Sequence, residues 1–476
     1  MRILGAALLL LLTLPTIAQD KWDLRRCVEY AIANNISVKQ NDIQARLDEL
    51  VYQQSKDVRW PTINLGGSLG EQFGRSIDPT TNLFTQNNIT FSNINLQSGV
   101  TLFNWFNIKH TIDANRLNME ASQAQTKKIQ DDIALNVAAV FLQALLSNEQ
   151  KQTAIVQANQ TSDQLEVTRK RVDAGSLPEL SAAELEAQLA RDSATIVAAE
   201  SQYQLNLLQV KALLNLDAGT PFDLEIPRIE DFPIVPLSEL QPDQVYLMAV
   251  AVRPQQLANK LRLEAAEKNA KAAKASMYPT ISAFGSVQSA YSSALSVLPK
   301  GNNITSIVQT QSFVNVAGNP LYVNTPVSRP ETTVPANWGR QIDYNFRQSL
   351  GMNIQVPIFN GSQARTGYKR ARINQENIAI QMKADSLTLK QDIYTAYQNA
   401  TNALFTYNSR KKAFETAAYS YSLGKQRFDV GLLPVFELIT LQNNMQRAQI
   451  DQLTARYDYV FRTKILEFYR GTGMVL

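Results

Sequence analysis

Arg171-Val172-Asp173-Ala174-Gly175-Ser176-Leu177-Pro178 returns 256 residues later as Arg427-Phe428-Asp429-Val430-Gly431-Leu432-Leu433-Pro434, with Arg, Asp, Gly, Leu and Pro in the same order. Both copies interrupt long stretches that read as helix. Residues 107–174 and 179–218 contain no Gly or Pro, and neither do 368–423 and 435–470. Gly just past a helix end supplies a positive φ without steric cost, and Pro can open the next helix because its missing N–H has no partner there anyway. Each copy therefore predicts a tight turn between two long antiparallel helices. A helix of roughly 60 residues at about 1.5 Å per residue is on the order of 90 Å long, several times the globular average.

The repeat extends outward from the turns. Val100-Thr101-Leu102-Phe103-Asn104 matches Val356-Pro357-Ile358-Phe359-Asn360 at the same spacing, and from there the halves align without a gap, Phe141 on Tyr397 and Arg191 on Arg447. Upstream, Trp60-Pro61-Thr62-Ile63 is echoed by Tyr278-Pro279-Thr280-Ile281. The chain reads as a tandem duplication of helix, hairpin, long helix, turn, long helix.

The hairpins show a period of two. Ile63, Leu65 and Leu69 alternate with polar residues; so do Ile94, Leu96, Val100 and Leu102, then Ala283 and Val287, then Phe346, Leu350, Met352, Ile354, Val356 and Ile358. These predict four strands of about ten residues, each apolar on one face and polar on the other. The long helices carry thin apolar stripes, Ile129, Ile133, Val137, Val140, Phe141, Ala144 and Leu145 in one, Leu438, Leu441, Met445 and Ala448 in another. Such stripes suit helices packed edge to edge with water on their other faces.

Residues 1–18 have the basic start, apolar run and small-residue end of a signal peptide, with cleavage expected after Ala18. The run is too short to span a bilayer as a helix, and no transmembrane helix is expected. Residues 22–59 predict one helix opening at Asp23, and the prolines at 221, 227, 233, 236 and 242 predict an extended connector over 219–245. Residues of roughly 292–342 read as a long surface loop.

Composition excludes much. The 46 basic and 42 acidic residues leave a charge of +4, with no basic run to mark a nucleic-acid partner. One histidine, His110, and one cysteine, Cys27, cannot build a usual metal site or a histidine-based triad, so the chain reads as neither an enzyme nor a metal or cofactor binder. Cys27 reads as a small buried apolar residue. Gly66, Gly67 and Gly70 fall inside a strand rather than in a phosphate loop.

Four amphipathic strands suit an outer-membrane barrel but cannot close one, and open edges are not tolerated in lipid. Closure has to come from other copies of the chain. Two copies would give a filled eight-stranded barrel, three a twelve-stranded barrel with a lumen, and tubes of long helices favour three.

The paired Arg-x-Asp-x-Gly-x-Leu-Pro turns, the Pro-started hairpins, the Val356-Pro357-Ile358-Phe359 strand exit and the duplication together resemble an outer-membrane efflux protein of the TolC family over essentially the whole mature chain. The resemblance implies a membrane α+β fold: a homotrimer whose four strands per chain make a twelve-stranded β-barrel that continues into a long antiparallel α-helical barrel crossing the periplasm. The expected division is a signal peptide (1–18), an N-terminal helix (19–60), a first β-hairpin (61–105), a first helical hairpin (106–218, tip at 173–179) and an equatorial connector (219–253). A second helix (254–277), a second β-hairpin with a long extracellular loop (278–360), a second helical hairpin (361–470, tip at 429–435) and a tail (471–476) complete it.

The resemblance further implies an exit duct for a tripartite efflux or type I secretion system, passive and opened at its periplasmic tip. The partners implied are a periplasmic adaptor (membrane fusion protein), an inner-membrane transporter and outer-membrane lipid, with no cofactor. Carried over residue by residue, the tip turns that dock the adaptor are Asp173, Gly175, Leu177 and Pro178, with Asp429, Gly431, Leu433 and Pro434. Of two gate acids in the family's pattern, Glu437 falls on the first and Thr440 on the second, so one acid is missing. Glu437 then reads either as one acidic ring in the trimer or as a first-turn acid favoured by the helix dipole. A periplasm-spanning scaffold without transport is the competing class; it would not need strands with one apolar and one polar face. Drug, metal and protein export share this part, and the sequence does not separate them.

Overall fold

The computed structural model describes residues 21–77, 82–86, 88–227, 235–294, 296–297, 303–330, 334–335 and 337–471. The signal peptide expected over 1–18, Pro233 of the connector and most of the C-terminal tail lie outside the described residues. The chain divides into two compact units, one of residues 1–52, 113–267 and 372–476, the other of 53–112 and 268–371.

The elements repeat in order. Helices α1 (Leu24–Asn34) and α2 (Ile36–Asp57) precede strands β1 (Thr62–Gln72) and β2 (Ile89–Phe103), then α3 (Asn107–Asp173) and α4 (Glu179–Leu214). After the connector come α5 (Pro242–Val252), α6 (Pro254–Ala275), β3 (Thr280–Ser292), the hairpin β4 (Asn303–Val316) and β5 (Asn319–Pro330), α7 (Trp338–Tyr344) and β6 (Arg347–Gln355). The second pair of long helices, α8 (Gln363–Asp429) and α9 (Val435–Arg470), ends the chain. Helices α3 and α8 are 67 residues each and α4 and α9 are 36 each, so every bound of the first pair recurs at the same offset in the second.

In the helical unit the thin stripes meet each other. Val137, Phe141, Leu142 and Leu145 of α3 are buried with Leu207, Val210 and Leu214 of α4, Cys27 and Ala31 of α1, and Tyr457 and Val460 of α9. Helix α3 also holds a stretch apolar enough by composition to cross a membrane, and these residues show why: its apolar side is the packing face. Of the second stripe, Leu438 is fully buried while Leu441, Met445 and Ala448 stay half exposed.

Three expectations outside the main sheet change. The helix expected over 22–59 is two helices, because Asn35 leaves helical geometry at ψ 133° and its side chain accepts the Ser37 N–H at 2.9 Å, capping α2 as it ends α1. The connector is not extended throughout: Pro242 sits in the first turn of α5, where a missing N–H is harmless, and Val245 and Ala249 bury against Ile393, Ala400 and Leu466. The surface loop of 292–342 contains the β4–β5 hairpin, whose turn residues Ala317 and Gly318 both have positive φ, and the helix α7. Gln341 on α7 is fully buried and bonds both the N–H and the carbonyl of Ser292, at 2.9 and 2.7 Å.

In the second unit the main sheet is antiparallel in the order β1-β2-β3-β6. Register places Leu65 beside Leu96, Leu96 beside Val287, and Ile354 beside Ile281, one apolar face running across all four strands. That face is bare: Leu65 is 75% and Leu350 89% exposed. Asn64, Asn95, Gln97, Ser286, Ser349 and Asn353 occupy the other face. Strand β6 stops at Gln355, short of the Ile358 expected, because Pro357 stands where β2 has Thr101 and cannot donate to a ladder.

Two measurements check the packing of the helical unit. Burial, with Asp23 adding to it, pushes the Cys27 thiol up to about 12, so maleimide at mildly alkaline pH should leave the native protein unlabelled and label it in urea; rapid native labelling would contradict the buried placement. Phe141 is 1% exposed, and Phe141→Ala should cost about 3–5 kcal/mol in chemical denaturation, far more than the same change at the exposed Phe405.

Candidate functional site

Both turns close by the same backbone device. Where α3 ends, the N–H of Gly175 bonds the Val172 carbonyl at 2.8 Å and that of Ser176 bonds the Arg171 carbonyl at 2.9 Å, with Gly175 at φ 74°. Where α8 ends, Gly431 bonds Phe428 at 2.9 Å and Leu432 bonds Arg427 at 2.8 Å, with Gly431 at φ 79°. This is the paired bonding that satisfies the last carbonyls of a helix and needs a left-handed residue, which glycine adopts without strain. Pro178 and Pro434 then sit just before α4 and α9, extended at ψ 150° and 151°.

The two tips pack on each other within the chain. Leu177 and Leu433 turn inward and lie half-buried against Leu185, Phe428, Val435 and Leu438. Asp173, Gly175, Pro178, Asp429, Gly431 and Pro434 are exposed. Val430, Leu432 and Phe436 leave an apolar patch on the second tip, 69%, 72% and 67% exposed. Glu437 is exposed in the first turn of α9, and Thr440 is exposed with its hydroxyl donating to the Phe436 carbonyl at 2.8 Å.

Arg171 joins the tips. It lies half-buried, and its guanidinium donates to the carbonyls of Phe428 at 3.4 Å and Asp429 at 3.2 Å, with the Phe428 ring 5.8 Å away. A cation thus sits on the carbonyl end of α8, where the helix dipole favours positive charge.

Above the tips a buried polar cluster ties three helices. The Thr161 hydroxyl of α3 donates to Asp192 of α4 at 2.6 Å, Gln188 donates to the other Asp192 oxygen at 2.8 Å, and Gln442 of α9 donates to Thr161 at 3.1 Å. All four are at most 4% exposed. Neither this cluster nor the Arg171 clasp was evident from apolar periodicity. The signal for the cluster lies in the repeat, where Thr161, Asp192 and Gln188 in the first half stand opposite Ala417, Ala448 and Asn444 in the second. The described residues hold no cluster of His, Cys, Asp or Glu suited to a metal ion.

The family described as outer membrane efflux protein matches residues 28–216 and 333–471. The chain is 23% identical over 465 residues to the toxin and drug export protein A of Aggregatibacter actinomycetemcomitans, covering 93% of this chain and 86% of that one. Its fold matches that of the outer membrane protein VceC of Vibrio cholerae with a TM-score of 0.71 at 14% identity, over 95% of this chain and 97% of the other. It also matches the Neisseria gonorrhoeae MtrE outer membrane channel, captured in an open state, with a TM-score of 0.68 at 16% identity, over 95% of this chain and 89% of that one.

Asp192→Ala removes the acceptor of the Thr161 hydroxyl and one of the two acceptors of the Gln188 amide in a dry site and should cost about 1–3 kcal/mol. In a double-mutant cycle with Thr161→Val by chemical denaturation, the two losses should be clearly non-additive; additive losses would mean that the pair is not coupled.

Proposed function

Because the chain belongs to the outer membrane efflux protein family, we propose that it is the outer-membrane exit duct of an export system, a passive channel built from three copies. The single observation that carries this reading is the four-stranded sheet whose edge strands, β1 and β6, are each paired on one side only among the described residues and whose apolar face is exposed. Lipid does not tolerate unpaired strand edges. Pairing β6 of one copy with β1 of the next removes every edge and gives twelve strands, with the polar residues facing a lumen. In this reading the long hairpins are the periplasmic part of the duct, and export through a cleaved signal peptide delivers the chain there.

The chain supplies the path and not the energy. A periplasmic adaptor docks at the turns of residues 173–179 and 429–435, and an inner-membrane pump drives cargo into the duct. The exposed Val430, Leu432 and Phe436 give the adaptor an apolar surface at the second tip. The open state of the MtrE neighbour supports a tip that changes between closed and open. The export of toxin and drug by the A. actinomycetemcomitans relative supports a cargo of that kind, handed over by the pump rather than selected by the duct.

Glu437 belongs to the second tip alone, since Ser181 holds the corresponding place in the first. Three copies then place three carboxylates around the constriction, which favours cations through a narrow opening.

Single-channel recording in planar bilayers tests the duct. The wild-type protein should show a small resting conductance that rises in Gly431→Pro, because proline cannot reach a φ of 79°. A folded trimer that conducts in neither form would support a scaffold instead. Glu437→Gln should lower the preference for cations over anions in the same recordings, and an unchanged reversal potential would leave Glu437 as a first-turn acid only.

A further inference from the structure

Outside the main sheet, β4 and β5 pair only with each other among the described residues. A two-stranded hairpin alone in water is marginally stable, and a free strand edge invites another strand. This hairpin is nearly without charge: residues 303–330 hold one charged residue, Arg329. Ile307, Phe313, Val314, Leu321 and Tyr322 are exposed on it.

Its two edges are not alike. In an antiparallel ladder, residues that bond across to the partner strand alternate with residues whose N–H and carbonyl point away. The Thr310 hydroxyl of β4 donates to the Val323 carbonyl at 2.8 Å and the Ser306 hydroxyl to the Val327 carbonyl at 3.5 Å, so the odd-numbered positions of β5 turn toward β4. The even-numbered positions face outward, and three of them are Pro320, Pro326 and Pro330. Proline has no N–H to give, and the outer edge of β5 is closed to a further strand. On β4 the outward positions are the partners of the even-numbered residues, 303, 305, 307 and 309, up to a register shift between Gln309 and Phe313. Strand β4 contains neither proline nor charge. Proline is likewise absent from β1 and β6, whose edges pair between copies in the exit-duct reading.

We propose that β4 pairs antiparallel with β4 of a second copy of this chain outside the membrane, joining one trimer to another. The inference rests on the exit-duct reading for the place of the hairpin, and on the hairpin alone for the pairing. A ring of three hairpins would need β4 of each copy on β5 of the next, which the prolines bar. Pairing β4 with β4 has two-fold symmetry and uses only the open edge. The product is a four-stranded sheet in the order β5-β4-β4-β5, with prolines along both outer edges, so it stops at two copies. No charge on β4 opposes the contact. The stretch 303–309 overlaps itself fully when Ser306 faces Ser306, and Thr305 then faces Ile307, a pair of β-branched residues suited to neighbouring strands.

The test uses the full-length protein carrying Cys27→Ala. A membrane-impermeant maleimide on intact cells should label Asn315→Cys; absence of labelling overturns the place of the hairpin and with it the proposal. In light scattering, single trimers should pass to larger particles of whole trimers as the concentration rises. Ile307→Pro removes an outward donor and leaves the β4–β5 ladder intact, so it should hold the protein as single trimers.

A disulfide reads the register. In a non-hydrogen-bonded antiparallel pair the Cα atoms lie about 4.5 Å apart, within reach of a disulfide. Oxidised Ser306→Cys should therefore link nearly all chains as dimers on non-reducing gels, whereas linkage inside a trimer would leave one chain in three free. Thr325→Cys, kept from its counterpart by the two β4 strands, should not link. Trimers that stay single at every concentration overturn the pairing, and association without the Ser306→Cys link overturns the register. Pairs of single chains, in place of pairs of trimers, would keep the pairing and sink the trimeric reading.

Discussion

The structure depends on a constraint set by helix length. A helix of 67 residues satisfies its own backbone but gains most of its stability from tertiary packing, and each long helix here offers only a thin apolar stripe for that purpose. A thin stripe is buried by a neighbouring helix running alongside it. In α3 the stripe through Val137, Phe141 and Leu145 is buried against α4, α1 and α9. The second hairpin has no third to cover it, and Leu441, Met445 and Ala448 remain half exposed. The same shortage appears in the sheet, where β2 and β3 are paired on both sides and β1 and β6 on one. Among the described residues, the second helical hairpin keeps a half-exposed stripe and the sheet keeps two strands paired on one side only.

What was legible in the sequence follows the strength of each local signal. The long hairpins could be read because two glycines at positive φ punctuate stretches with no other breaker, and a duplication confirmed each boundary with its copy. The apolar sheet face could be read because side chains alternate with a strict period of two. The break at Asn35 was missed because asparagine caps without interrupting the apolar spacing of Leu24, Val28, Ile32 and Ile36. Helix α5 was missed because five prolines were weighed together, although Pro242 begins a helix by itself. The β4–β5 hairpin was hidden by polar composition, and its Ala317-Gly318 turn is a weaker signal than Asn-Gly.

Departures from the repeat carry information that the repeat does not. Thr161, Asp192 and Gln188 form a buried polar cluster in the first half, where the second has Ala417, Ala448 and Asn444. A buried carboxylate is costly unless every acceptor is met, and here Asp192 accepts on both oxygens. Within one chain such a cluster fixes a single register between hairpins that fold together.

The Arg171 clasp at the tip has main-chain acceptors. A carboxylate partner for Arg171 would have to be kept as an ion pair at an exposed helix end, where such pairs contribute little. Main-chain carbonyls at a helix C-terminus are present whatever the side chains are, and they carry the negative end of the dipole. Val172 and Phe428 differ in size and shape at the same place in the repeat, yet either residue presents the same carbonyl. An arginine one turn back, as Arg171 is, needs only its own reach and charge to meet them. A clasp of hydrogen bonds to carbonyls is also weak enough to be exchanged for water.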